Sequence, residues 1–129
     1  IRDTPSTLVH FSTDFVFNGK KTSPYSTDDP TDPQSVYGKT KRAGEEALLA
    51  LELPRCIIVR TAWLVGSGRK NFGSTILAAC RERRMLSVVN EQVGPATYPL
   101  GLPPYTLKLV EAAAAGIFHI VDSGKGNWC

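Results

Sequence analysis

Short, largely apolar runs alternate along the chain with longer stretches whose apolar residues recur at helical spacing, and this order sets out an α/β fold. Leu8, Val9, His10 and Phe11 form a run of the kind found in a strand buried on both faces, and Ser12, Thr13 and Asp14 place three side-chain oxygens at its end. Residues 18–35 hold Gly19, Pro24, Pro30 and Pro33 among Ser, Thr and Asp, the marks of a long surface loop. Over 35–52, Val36, Ala43, Ala47, Leu48 and Leu51 recur at helical spacing, with Pro33 and Ser35 as start signals and Pro54 as a stop.

Residues 56–59 and 63–65 bracket Arg60-Thr61-Ala62 in a second expected strand, ended by Gly66-Ser67-Gly68. A helix over 71–84 would bury Phe72, Ile76, Leu77 and Cys80. A third strand is expected at 86–89, a helix at 105–115 and a fourth strand at 117–121. Pro95, Pro99, Pro103 and Pro104 predict an irregular loop between that third strand and its helix. Strands that alternate with helices imply a parallel sheet. No internal repeat is visible, and 112–115 is the one low-complexity patch.

Composition narrows the function classes. With 129 residues, 42% hydrophobic and 21% charged, the chain reads as one soluble globular domain able to bury a core without disulfides or metal. The net charge of +3 is spread out apart from Arg81, Arg83 and Arg84, which argues against a nucleic-acid partner. No apolar run approaches the roughly 18 residues that span a bilayer, and no leader pattern opens the chain, so a cytoplasmic protein with no membrane partner is expected. Cys56, Cys80 and Cys129 make neither an even set nor a CxxC pair and read as reduced thiols. The chain opens without Met and closes just after a Gly-rich stretch, so a fragment of something longer is expected.

Tyr37 and Lys41 stand four apart on the first helix and therefore share a face about one turn apart. A positive charge beside a phenol favours its ionised form, which suits the pair to proton transfer. Taken alone, the spacing also fits a helix surface with a half-buried tyrosine and a solvated lysine. His10 and His119 fall inside expected strands and read as core residues with satisfied hydrogen bonds. Glu45 and Glu46 fit a solvated helix surface, Asn71 a substrate contact or a helix cap, and Asp28, Asp29 and Asp32 a loop rather than a metal site.

The surroundings of the pair are more specific. STDFVFNGKK at 12–21, Pro24-Tyr25 and DPTDPQSVYGKTKRAGEEAL at 29–48 resemble the extended short-chain dehydrogenase/reductase superfamily, and within it the dTDP-4-dehydrorhamnose reductase family. The likeness continues through Arg60-Thr61-Ala62-Trp63, Asn71-Phe72, the run from Val88 to Gly94, and Gly116-Ile117-Phe118-His119. It implies a partial Rossmann-like parallel sheet with helices, plus part of a small substrate-binding region. Residues 1–129 would then form the carboxyl-terminal half of a Rossmann-type NAD(P)-binding domain with interleaved substrate-binding segments.

The resemblance implies reduction of the C4 ketone of dTDP-4-dehydro-L-rhamnose by NADPH or NADH. Tyr37 would be the general acid, Lys41 its partner and a ligand of the nicotinamide ribose, and Thr13 a further hydrogen-bond donor to the same oxygen. Donors placed where charge develops on that oxygen are what the chemistry needs. Asp14 and Trp63 match positions that contact the nucleotide-sugar, although a turn-capping Asp and a core Trp fit them too. Glu45 and Glu46 match the family's GE pair.

Two features depart from the family. No glycine-rich dinucleotide fingerprint is present, so the pyrophosphate cradle and the residue that selects NAD or NADP have no counterpart, and the fragment alone is expected to be inactive. Some relatives hold magnesium at a dimer contact, but no ligand set for it maps here. After Gly94 the family pattern SPTYxxDLA is replaced by a proline-rich run from Pro95 to Pro103. A homodimer would be one way to cover exposed sheet edges. Two rival readings are another NDP-sugar epimerase or dehydratase, and a non-catalytic relative resembling the regulatory beta subunit of methionine adenosyltransferase.

Overall fold

A computed structural model describes residues 3–67, 71–82 and 85–128. Among these residues three strands form one parallel sheet in the order β1 (Leu8–Thr13), β2 (Cys56–Thr61), β3 (Gly116–His119). Leu8 lies opposite Cys56 and Thr13 opposite Thr61, while Ile57 to Arg60 lie opposite Gly116 to His119. The middle strand reads CIIVRT, and all six of its residues are buried. Its Ile57, Ile58 and Val59 are wholly inaccessible and, with Val16 and Ala62, form the centre of the core. The α/β class with a parallel sheet is the one expected.

Thr13 caps a single 3-10 turn, Asp14–Val16, that directs the chain away from the end of β1. The loop that follows is tied down. Asp32 N–H donates to the Val16 carbonyl at 3.0 Å, the Tyr25 hydroxyl donates to Asn18 at 2.9 Å, and the Tyr25 ring stacks on Phe17 at 4.2 Å. Asp29 is paired with Lys21, and Asp32 accepts from Asn18, so the acidic residues serve the loop itself.

Helix α1 (Val36–Ala50) starts as expected, with the Ser35 hydroxyl accepting from Gly38 N–H at 3.0 Å. Its seated face differs from the apolar spacing. Val36 is 78% exposed and Leu51, just past the helix, 47%, whereas the two buried positions of the helix are Gly38 and Glu45. Helix α2 (Phe72–Glu82) forms with Asn71 capping it through Ser74 N–H, yet none of its residues is buried and Leu77 is 57% exposed. The expected end of that helix at Arg83 and Arg84, like Gly68 and Cys129, lies outside the described residues.

Four expectations about the chain beyond residue 60 fail for identifiable reasons. Residues 86–89 form no strand: Val88 and Val89 favour extended backbone, but among the described residues the sheet holds only β1, β2 and β3, and Val89 is 53% exposed. Residues 63–65 do not continue β2, because Trp63 adopts a left-handed φ of 39° that breaks the ladder, leaving one parallel bridge from Leu64 to Thr97.

The prolines open helix α3 (Leu102–Glu111) rather than interrupting it. Pro103 and Pro104 lie in the first turn, where a missing N–H costs no intrahelical bond. The same helix stops short of the alanine run. Ala113 N–H bonds back to the Val110 carbonyl and Ala114 N–H to Leu109, both at 3.0 Å, with Ala113 at φ 51°. That is a Schellman stop built on alanine.

Candidate active site

The carboxyl ends of β1 and β2 open into a cleft of about 630 Å³, and Thr13, Asp14, Tyr37, Lys41 and Trp63 all line it. Thr13 is fixed by its capping role: its hydroxyl accepts from Phe15 N–H at 3.2 Å and donates to Asp14 Oδ1 at 3.0 Å. Burial raises the Asp14 carboxyl above its ordinary range, outweighing the hydrogen bonds from Thr13 and the backbone that lower it.

Tyr37 stands on the first turn of α1 with its ring edge-to-face against Phe15 at 6.0 Å, and it is 53% exposed. One turn on, the Lys41 ammonium donates to the Phe11 carbonyl at 2.9 Å, which holds the charge beside the end of β1. The left-handed backbone at Trp63 turns its indole onto Trp128, with ring centres 3.9 Å apart, and Phe72 packs against Trp128 at 4.0 Å. The helix carrying Tyr37 and the strand carrying Thr13 thus meet at one opening, where ligands bind in open parallel sheets.

Two polar features here were not singled out as site residues by the sequence. Thr61 lines the cleft, and its hydroxyl is buried with no hydrogen-bond partner among the described residues. Glu45, expected on a solvated surface, is completely buried and takes two hydrogen bonds from Arg60, at 2.9 and 2.7 Å. Glu46 is the exposed member of the pair and meets Arg42 at 3.0 Å. Burial pushes the Glu45 carboxyl up, but the Arg60 hydrogen bonds and charge outweigh it and hold the group below the usual range. The signal was an arginine inside an otherwise apolar, fully buried strand, since a buried charge demands a partner.

His10 and His119 lie in strands as expected, but their Nε2 atoms are buried without a partner among the described residues. Burial, first, and a neighbouring cation lower the basicity of both imidazoles. Cys56 is buried, and burial pushes its thiol up; Cys80 is exposed, and both are free. Among the described residues no group of three or more His, Cys, Asp or Glu is arranged to hold a metal ion, and no helix is long and apolar enough to cross a membrane.

The family model described as the RmlD substrate binding domain matches residues 2–129. The spore coat polysaccharide biosynthesis protein SpsK of Bacillus subtilis is 45% identical over 93% of this chain and 42% of its own length. A dTDP-4-dehydrorhamnose reductase of Salmonella typhimurium is 39% identical over 98% of this chain and 44% of its own. The crystal structure of a dTDP-4-dehydrorhamnose reductase from Clostridium acetobutylicum superposes with a TM-score of 0.88 at 40% identity, over 95% of this chain and 43% of that one. A Bacillus anthracis dTDP-4-dehydrorhamnose reductase solved with NADP gives 0.85 at 35% identity, over 95% of this chain and 43% of that one. The chain spans less than half the length of these relatives. It belongs to the RmlD substrate-binding domain family.

Proposed function

We propose that the full-length protein bearing this segment reduces the C4 ketone of dTDP-4-dehydro-L-rhamnose to dTDP-L-rhamnose with NADPH or NADH. The observation that carries this reading is the meeting of Thr13, Tyr37 and Lys41 in one cleft at the carboxyl ends of β1 and β2. The names of the relatives support the substrate, and the NADP in the Bacillus anthracis structure supports the cofactor. The same reading makes the segment the carboxyl-terminal half of a Rossmann-type domain with interleaved substrate-binding segments, in a cytoplasmic protein whose sheet edges a homodimer would cover.

The residues present fit a nicotinamide half-site: an ammonium anchored on the Phe11 carbonyl and an exposed phenol border the opening, with Thr61 in its lining. Lys41 would hold ribose hydroxyls, its donors being the ones that suit them. When bound, the nicotinamide supplies the hydride that reduces C4. Tyr37 delivers its phenolic proton to the C4 oxygen as negative charge grows there, and Lys41 stabilises the phenolate that remains. Thr13 has a single hydroxyl proton, now given to Asp14, so its donation to the substrate oxygen replaces that bond. Asp14 and Trp63 border the space left for the nucleotide-sugar.

The test is cofactor oxidation by the full-length protein supplied with NADPH and dTDP-4-dehydro-L-rhamnose, with Tyr37→Phe in parallel. Turnover that falls by about a hundredfold or more in the variant supports the reading. A folded wild type that turns nothing over refutes it. Product formed without net cofactor consumption would assign an epimerase or dehydratase instead.

A further inference from the structure

We propose that Glu45 and Arg60 are positioning residues that set α1, and with it Tyr37 and Lys41, against the end of β1. The inference rests on the reductase reading. Tyr37, Lys41 and Glu45 follow one another at intervals of one helical turn, so they form a single stripe along α1. The helix has two buried positions, Gly38 and Glu45, and these bracket Lys41. Its seating is therefore decided at two points rather than by a broad apolar face.

The second point is the more constrained. Arg60 is 3% exposed and lies in the middle strand opposite Ser12 on one side and His119 on the other, one rung before the Thr13–Thr61 rung at the cleft. Its guanidinium grips both oxygens of the Glu45 carboxylate, at 2.9 and 2.7 Å, and its carbon lies 5.0 Å from the centre of the Phe17 ring. A two-pronged contact of this kind fixes direction as well as distance. Arg42, from α1 itself, adds a contact to the same carboxylate at 3.4 Å. A buried ion pair gains little stability over apolar side chains of equal volume, so what it contributes is geometry. Here the geometry fixed is the height and rotation of the stripe that ends at Tyr37.

The experiment uses the full-length protein and four variants: Glu45→Gln, Glu45→Asp, Arg60→Lys, and the neutral pair Glu45→Gln with Arg60→Met. Folding is read by circular dichroism, and catalysis by kcat and KM separately. Fluorine NMR of fluorotyrosine-labelled protein, with the Tyr37 signal assigned by Tyr37→Phe, reports on Tyr37 without turnover. The expected result is a fall in kcat of about tenfold or more with KM for the sugar nucleotide nearly unchanged, partial rescue by Glu45→Asp, and a displaced Tyr37 signal. The neutral pair is expected to fold and remain slow. If Glu45→Gln fails to fold, Arg60→Lys and the neutral pair decide the matter. A folded neutral pair with wild-type kcat and an unmoved Tyr37 signal overturns the inference. An inactive wild type refutes the reductase reading alone, since the Tyr37 signal still tests the positioning.

Discussion

Gly38 sits so close over the carbonyl of Phe15 that a Cβ built on it would lie 2.2 Å from that oxygen and 3.0 Å from the Pro33 Cβ. No side chain fits there without moving the helix that carries Tyr37 off the turn that Thr13 caps. Gly38→Ala is expected to cost about 1–3 kcal/mol of stability and to lower turnover in the full-length protein. Gly44, on the same helix, is the control: a Cβ there meets His10 Nε2 at an ordinary 3.6 Å. Gly44→Ala should be neutral or stabilise by up to about 1 kcal/mol. Thermal melts of the two variants that move in the same direction would contradict this account.

Thr13 holds two roles that substitution can separate. Thr13→Ser keeps the hydroxyl that accepts from Phe15 N–H and donates to Asp14, and should retain most activity. Thr13→Val removes both bonds, costs about 1 kcal/mol as a lost cap, and should reduce kcat far more than its stability loss explains. Equal kcat in the two variants would show that the hydroxyl has no part in the reaction.

Ala113 pays the steric cost of a left-handed φ of 51° so that α3 can end where it does. Glycine has no such cost in that conformation, and Ala113→Gly should raise stability by about 1 kcal/mol. Denaturant midpoints at unchanged slope measure it directly. A destabilised variant would mean that the turn is held differently.

Trp63 is gripped on its indole by Trp128 and closely approached by Gly94, where a Cβ would stand 3.1 Å from Cζ2. As a cleft wall that takes no proton, it should affect binding more than chemistry. Trp63→Ala is expected to raise KM for the sugar nucleotide by about tenfold with a smaller change in kcat. A variant that lost kcat with KM intact would place Trp63 among the reacting groups.

Acid should destabilise the fold in two stages. Burial lowers His10 and His119 from their ordinary value of 6.5, with Lys41 contributing at the first and Arg60 at the second. At Glu45 burial acts upward, but Arg60 prevails and holds the carboxyl below 4.5. A group whose folded pKa is depressed contributes stability that is complete above the unfolded value and is lost as pH falls through the folded one. Stability should therefore decline below pH 6.5 through the imidazoles and again below 4.5 through Glu45. Asp14 acts oppositely, because burial raises its carboxyl and protonation then favours the folded state. Unfolding titrations should show the upper stage flattened in His10→Gln and His119→Gln. A wild-type profile with no decline below neutrality would exclude this assignment.

The pattern of residues showed the sheet and its helices because strand and helix periods are local properties. Leu8 to Phe11, Cys56 to Val59 and Ile117 to His119 lie within the strands that form, and Ser35 caps α1 as its side chain predicts. Thr13, Tyr37 and Lys41 were legible as one motif and do line one cleft. What stayed hidden depends on the partner across space. Val88 and Val89 have strand character but lie outside the three strands of the described sheet, and the left-handed turn at Trp63 goes with contacts to Thr97 and Trp128 that spacing does not reveal. Glu45 reads as a surface residue until Arg60, fifteen positions later, is placed beneath it.

The strand that everything leans on is the middle one in sequence as well as in space, and this imposes an order in time. During synthesis the pairing of Leu8 with Cys56 must wait for β2, and that of Ile57 with Gly116 for β3. Helix α1 and its capped start emerge before their anchor on Arg60 exists. The nascent chain therefore carries Tyr37 and Lys41 on a helix that can rest only on Phe11 and Phe15 of the segment before it, and its anchor on Arg60 forms only after β2 has left the ribosome.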